Sequence, residues 1–214
     1  MADLLSKDVR QSRLWNRLLE RATPTGWILP KGTPQRMVAE LAADSALKDR
    51  LIPPVLSPSD LLPASILQEL REYARSARSS AYEALGHQVS DGAEAIPCID
   101  KSGILQWCRE NAPVEFSESI KMCFIYYREG QLCRLHFDDD EAWEFNFLLC
   151  LERKRPENGK ATSTYFFEGN EKLRSYDLSP GQAVWFHSRC TPHGRTPLGQ
   201  GEEVVLASLG MRSV

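Results

Sequence analysis

From about Ser119 onward the chain is a succession of short apolar or aromatic runs: SIKMCFIYY, CRLHF, WEFNFLLCL, STYFF, AVWFH and VVLASLGM. They are cut apart by REGQ, RKRPENGK, EGNEK, SPGQ and TPHGRTPLGQG, which carry the Gly, Pro and Asn of turn chemistry. Runs this short, rich in β-branched and aromatic residues, are strands, not helices. Strands that follow one another without intervening helical stretches predict an antiparallel sandwich or barrel and argue against a βαβ fold. No GxGxxG or GxxxxGK[ST] phosphate loop interrupts them.

The first half reads helical. Leu4, Leu5, Val9, Leu14, Leu18 and Leu19 form one stripe over residues 4–21. Thr33-Pro34 reads as an N-cap with proline in the first turn, opening a helix to about Leu41. The proline-rich stretch LIPPVLSPSD, residues 51–60, is a connector. From about Ser59 a longer helix is expected, with Ile66, Leu67, Leu70, Tyr73, Ala74 and Ala77 at helical spacing; Arg71, Arg75 and Arg78 are read as its solvated face. The organisation expected is a helical extension over 1–54 and a β domain over 55–214, packed as one compact unit.

At 214 residues, 42% hydrophobic and 26% charged, the chain has the composition of an ordinary globular protein with a sizeable core. A net charge of -3 argues against a nucleic-acid partner, which calls for a dominant basic face. The N-terminus has no basic-then-apolar signal pattern and no run is apolar enough to span a bilayer, so a cytoplasmic protein without a membrane partner is expected. Cys98, Cys108, Cys123, Cys133, Cys150 and Cys190 form no CxxC pair and read as free packing thiols.

His136-Phe137-Asp138 carries the chemistry. A His and an Asp two apart on a strand share a face. His193, in a Gly/Pro-rich segment before the last strand, can close a triangle with them. Two imidazoles and one carboxylate leave open positions on an octahedral metal, which suits non-haem Fe(II) that binds a co-substrate and O2. Zinc also accepts such ligands. His187, inside AVWFH, is the rival third ligand, read instead as a core or supporting histidine.

YYREGQLCRLHFDD and PHGRTPLGQGEE resemble the HxD segment and the distal-histidine segment of the Fe(II)/2-oxoglutarate-dependent oxygenases, in particular their prolyl-hydroxylase-like branch. The resemblance covers roughly residues 119–212. It implies a mixed α+β fold: a double-stranded β-helix (jelly-roll, cupin-like) core with N-terminal buttressing helices. It implies that His136, Asp138 and His193 hold Fe(II), and that 2-oxoglutarate and O2 complete the site. 2-Oxoglutarate would be decarboxylated to succinate and CO2 as an unactivated C–H bond is oxidised. Asp138 stands where the family's halogenases carry a small residue, which points to hydroxylation, with desaturation or ring closure as alternatives.

The far carboxylate of 2-oxoglutarate needs a buried cation, and the position where the branch commonly carries Lys or Arg is Glu203 here. Arg212, in strand parity with Ser208, is the preferred substitute and Arg195 the second. Tyr126 or Tyr127, only one of which can face a cavity, and Asn146 are candidate hydrogen-bond donors to the same carboxylate. Trp143 and Trp185 read as core packing more than as site walls, Arg128 and Arg134 as solvated strand ends, and Asp139, Asp140, Glu141 and Glu144 as a charged turn. The substrate expected is a small molecule, an amino acid or natural-product intermediate, with a peptide or protein side chain second. The contrasting readings are a cupin-like dioxygenase or isomerase that does not use 2-oxoglutarate, and a non-catalytic module on the same fold.

Overall fold

The computed structural model describes residues 54–112, 115–136, 138, 143–156, 161–167, 173–188, 191 and 193–214; at 118, 134–136, 167 and 173 it describes the backbone alone. The two N-terminal helices expected over 4–21 and 34–41 lie outside the described residues.

Eight strands follow the last described helix, six of them from the runs the sequence marks. They are β4 (Phe116–Tyr127), β5 (Cys133–His136), β6 (Phe145–Lys154), β7 (Thr164–Phe167), β8 (Leu173–Tyr176), β9 (Ala183–Phe186), β10 (His193–Arg195) and β11 (Glu203–Ser213). They are preceded by β1 (Val55–Leu56), the hairpin strands β2 (Tyr82–Ala84) and β3 (His87–Asp91), and the helices α1 (Ala64–Ala77), α2 (Ile96–Asp100) and α3 (Ile104–Asn111).

The strands make a seven-stranded sheet, β1-β9-β6-β11-β4-β3-β2, and a four-stranded sheet, β5-β10-β7-β8. The chain shuttles between them: β4, β6, β9 and β11 in the large sheet alternate with β5, the β7–β8 pair and β10 in the small one. This winding is the double-stranded β-helix. It explains why the central strands are apolar on both faces. In β6, Phe145, Phe147 and Leu149 pack against the helical layer, with Leu70, Ala74, Ile99 and Ile104. Leu148 and Cys150 point the other way, into a second core shared with Cys133 and Phe166 of the small sheet.

Several expectations are corrected. The first half is not wholly helical: β2 and β3 extend the large sheet, and β1 lies within the proline-rich connector, Val55 opposite Trp185. Helix α1 starts at Ala64, after Pro63, not near Ser59. LRSY and HGR, too short and polar to read as strands, are β8 and β10. The arginines of α1 are not simply solvated. Arg71 Nε donates to the Leu151 carbonyl at 2.8 Å, Arg75 pairs with Glu152, and Arg78 lies 5.3 Å over the Tyr126 ring. They tie the helix to the sheet.

Candidate active site

A cavity of about 300 Å³ opens between the two sheets. The register places its chemistry in layers along the strands. Where β4 and β11 pair Tyr127 with Val204, the cavity is lined by Tyr127 and Arg195. Four residues along β11, where Ser208 pairs with Cys123, it is lined by Ser208, Asn146 and Asp138. His193 lies on the facing sheet.

Asp138 and His193 are brought together. His193 pairs across the strands with His136, and its Nε2 lies 3.9 Å from Asp138 Oδ1. That separation is too long for a hydrogen bond. Two cis ligands about 2.1 Å from one ion stand about 3.0 Å apart, so the pair would draw together by about 1 Å to hold one. The tautomer also fits. His193 Nδ1 is 3.0 Å from the Thr191 carbonyl, which can only accept, so Nδ1 carries the proton and Nε2 offers its lone pair. The ring is held by Phe186, centroid to centroid 4.7 Å, and by Phe166 at 6.1 Å. Asp138 is held at both ends: its backbone N–H donates to the Ser188 carbonyl at 3.1 Å, and Oδ2 accepts from Asn146 Nδ2 at 3.3 Å. Among the described side chains no third His, Cys, Asp or Glu completes a metal-binding group with this pair; the side chain of His136 lies outside the description.

Two residues further along β10, Arg195 points into the same cavity with only 2% of its surface exposed. Its Nη1 donates to Thr164 Oγ1 at 3.2 Å and its Cζ lies 5.4 Å over the Tyr127 ring. Nε and Nη2 are buried with no hydrogen-bond partner among the described residues. Burial pulls the guanidinium pKa down, an effect partly opposed by Tyr127. Tyr127, buried beside Arg195 and Cys133, has its own pKa pushed up chiefly by burial. A buried cation with two idle donors is costly, and a carboxylate presenting two oxygens would satisfy both.

The other candidates separate cleanly. Arg212, the preferred anchor, is exposed and does not line the cavity. β11 runs from the Arg195 end towards the Asp138 end, so a residue four beyond Ser208 lies about 13 Å further out. Tyr126 faces the opposite layer, where its hydroxyl donates to the Ala74 carbonyl at 2.6 Å and meets Ser90 Oγ. Asn146 lines the cavity at the Asp138 end, its amide engaged by Asp138 and by Ser208 Oγ at 2.9 Å, so it is not placed to meet a carboxylate at Arg195. Glu203 is exposed at the start of β11. His187 packs on Phe145 and approaches Glu144 at 3.8 Å outside the cavity lining. Trp143 walls the cavity, against expectation, whereas Trp185 stacks on Phe145 in the core. Arg128 is exposed; Asp139, Asp140 and Glu141 lie outside the described residues.

Sequence reading overlooked Thr164 and His87, which also line the cavity. Neither sits in a motif, and their roles come from partners distant in the chain.

No family model matches the chain, and no curated protein matches it in sequence. Solved structures do match in shape. A Pseudomonas putida prolyl-4-hydroxylase superposes with a TM-score of 0.59 at 18% identity, over 81% of this chain and 99% of its own. A 2OG-Fe(II) oxygenase family oxidoreductase from Burkholderia pseudomallei gives 0.59 at 9% identity, over 87% and 94%. HygX from Streptomyces hygroscopicus, solved with nickel, 2-oxoglutarate and hygromycin B bound, gives 0.57 at 10% identity, over 80% and 87%.

The fold is that of the 2-oxoglutarate oxygenases.

Within this oxygenase fold the described chain keeps both sheets of the double-stranded β-helix and the helical layer behind the larger one. No described helix is long and apolar enough to cross a membrane, and no disulfide joins the five described cysteines.

Proposed function

We propose that this chain is an Fe(II)- and 2-oxoglutarate-dependent oxygenase that hydroxylates an unactivated C–H bond of a small molecule. The observation that carries the proposal is Arg195: a buried guanidinium with two unpartnered nitrogens, in the cavity that also holds His193 and Asp138. Such a cation favours a dicarboxylate co-substrate over the reading of a cupin-like enzyme that uses none.

His136, Asp138 and His193 would hold the metal. When bound, iron and 2-oxoglutarate supply O2 activation, with release of succinate and CO2. The remaining work belongs to the protein. The Thr191 carbonyl keeps His193 in the tautomer that presents Nε2. Asn146, itself held by Ser208, fixes the carboxylate of Asp138. Arg195, steadied by Thr164, takes the distal carboxylate of the co-substrate through Nε and Nη2. Phe186, Leu148 and Ile125 keep bulk water from the reacting groups.

The test is Fe(II)-dependent conversion of 2-oxoglutarate to succinate in the presence of a panel of small metabolites, with each mixture searched for a product one oxygen heavier. The proposal expects both signals, and their loss in Asp138→Ala. Full turnover by Asp138→Ala, or no succinate from the wild type under any condition, contradicts it.

A further inference from the structure

We propose that the part of the cavity walled by the β2–β3 hairpin is a substrate subsite for an uncharged apolar group, held by a hydrogen bond from its O–H or N–H to Nε2 of His87. The position of oxidation and the exclusion of charged ligands rest on the oxygenase reading; the hydrogen bond to His87 does not.

The hairpin carries the large sheet past β4. β3 pairs Val89 with Ile125, and β2 pairs Tyr82 with Val89, so Tyr82, Val89 and Ile125 form a row across three strands. All three line the cavity. Leu85, at the hairpin turn, lines it too, with φ at +52°, a left-handed conformation that leucine rarely adopts. Gly86 follows at φ +95°, and a Cβ there would come within 3.2 Å of the Leu132 side chain, so the tip is pressed against the segment leading into β5. Tyr82 is 63% exposed, one of three exposed large hydrophobic residues among those described, and it stands at the cavity wall. An aromatic ring left in water beside an apolar cavity is a surface for a ligand to cover.

Charge selects the class of ligand. Among the described residues the cavity is lined by two charged side chains, Asp138 and Arg195, and both are committed in the oxygenase reading. A substrate ammonium or carboxylate on the Tyr82–Val89–Ile125 row finds no described counter-charge, and a buried unpaired ion is strongly disfavoured.

His87 supplies the polar contact. Its Nδ1 is 3.2 Å from the Leu132 carbonyl, which accepts, so Nδ1 is the protonated nitrogen. In the neutral ring Nε2 is then an acceptor. The imidazole is 3% exposed, lines the cavity and packs 4.8 Å from the Tyr127 ring; no described protein group is hydrogen bonded to Nε2. An acceptor set in an apolar wall binds a donor and rejects an analogue that lacks one.

The test uses four probes with one ring and different head groups: 2-phenylethanol, ethylbenzene, 2-phenylethylamine and L-phenylalanine. Each is titrated against the full chain loaded with Zn(II) and 2-oxoglutarate, and binding is read by ligand-observed NMR. The alcohol is expected to bind saturably and at least fivefold more tightly than ethylbenzene, with both charged probes weaker than the alcohol. In His87→Phe the alcohol should lose its advantage over ethylbenzene, and in Val89→Trp both should be excluded, with 2-oxoglutarate binding retained in each. The wild-type ranking alone decides the matter if either variant misfolds. Tighter binding of the amine or the amino acid, equal binding of alcohol and ethylbenzene, or no saturable alcohol binding overturns the proposal. 2-Oxoglutarate binding is measured in the same samples, so its failure with the alcohol ranking intact sinks the oxygenase reading alone.

Discussion

The guanidinium of Arg195 lies 5.4 Å over the ring of Tyr127, inside the protein, with two of its nitrogens unpartnered among the described residues. Such an arrangement weakens the unliganded protein and strengthens a liganded one. Replacing Arg195 with Met is expected to leave the thermal stability of the ligand-free protein unchanged or higher, because a desolvated and partly unpaired charge is removed. In the wild type, saturating 2-oxoglutarate should raise the melting temperature; in Arg195→Met it should not. The variant should bind 2-oxoglutarate about 100-fold more weakly, from the loss of charge-assisted hydrogen bonds. Arg195→Lys keeps the charge but not the fork and should fall between the two. Calorimetric titration and thermal melts check each point, and Arg212→Met serves as the control that should leave 2-oxoglutarate binding unchanged.

Asn146 acts on Asp138 alone, at 3.3 Å, with Ser208 behind it. Asn146→Ala should weaken metal binding by about 10–100-fold, the range typical for supporting partners of metal ligands. Ser208→Ala should weaken it less, since it orients Asn146 without touching Asp138. Competition with a chelator of known affinity measures both.

Arg153 is buried and bonded to Glu202, to Asp177 and to the carbonyls of Thr162 and Leu178. Glu202 is fully buried and also accepts from the backbone N–H and hydroxyl of Thr162. This network locks the end of the barrel beyond Arg195. Arg153→Met leaves the Glu202 carboxylate stranded and should cost about 3–5 kcal/mol of stability. Urea unfolding of the variant measures it.

Burial pushes the Cys123 thiol up to about 12 and the Cys150 thiol up to about 11, from an ordinary value of 9.0. The folded state thus favours the protonated thiols. Their contribution to stability is fully present below about pH 9, then declines as pH rises through the window up to about 11–12, because the unfolded chain ionises first. At pH 8.5 iodoacetamide should modify both thiols slowly in the native protein and quickly in urea, as peptide mass spectrometry can follow.

The core of this fold was legible because its central strands are buried on both faces. Phe145-Asn146-Phe147-Leu148-Leu149 reads as an apolar run with one polar residue, and that residue donates to Asp138. The hairpin of β2 and β3 was not legible. Its sequence, YEALGHQVSD, is short and mixed, and it becomes sheet only because β4 offers an edge to pair with. The HxD…H order pointed to Asp138 and His193, which the structure brings within 3.9 Å, although Asp138 lies on the loop after β5 and not on the strand that the parity argument assumed. That Arg195 lines the cavity and Arg212 does not depends on which end of β11 lies beside it, a fact of three-dimensional winding that parity does not contain. Asn146 was noticed as polar, but its partners, Asp138 on the loop after β5 and Ser208 on β11, meet it only once the two sheets face each other. His87 carried no signal beyond its type.

The most direct measurement is an anaerobic titration of the Fe(II)-loaded protein with 2-oxoglutarate, monitored for the weak visible charge-transfer band of the chelate, in the wild type and in Arg195→Met. The account predicts a saturable band in the wild type and, in the variant, either none or one that needs about 100-fold more 2-oxoglutarate. A wild type that binds Fe(II) yet gives no band, or a variant that titrates like the wild type, contradicts it.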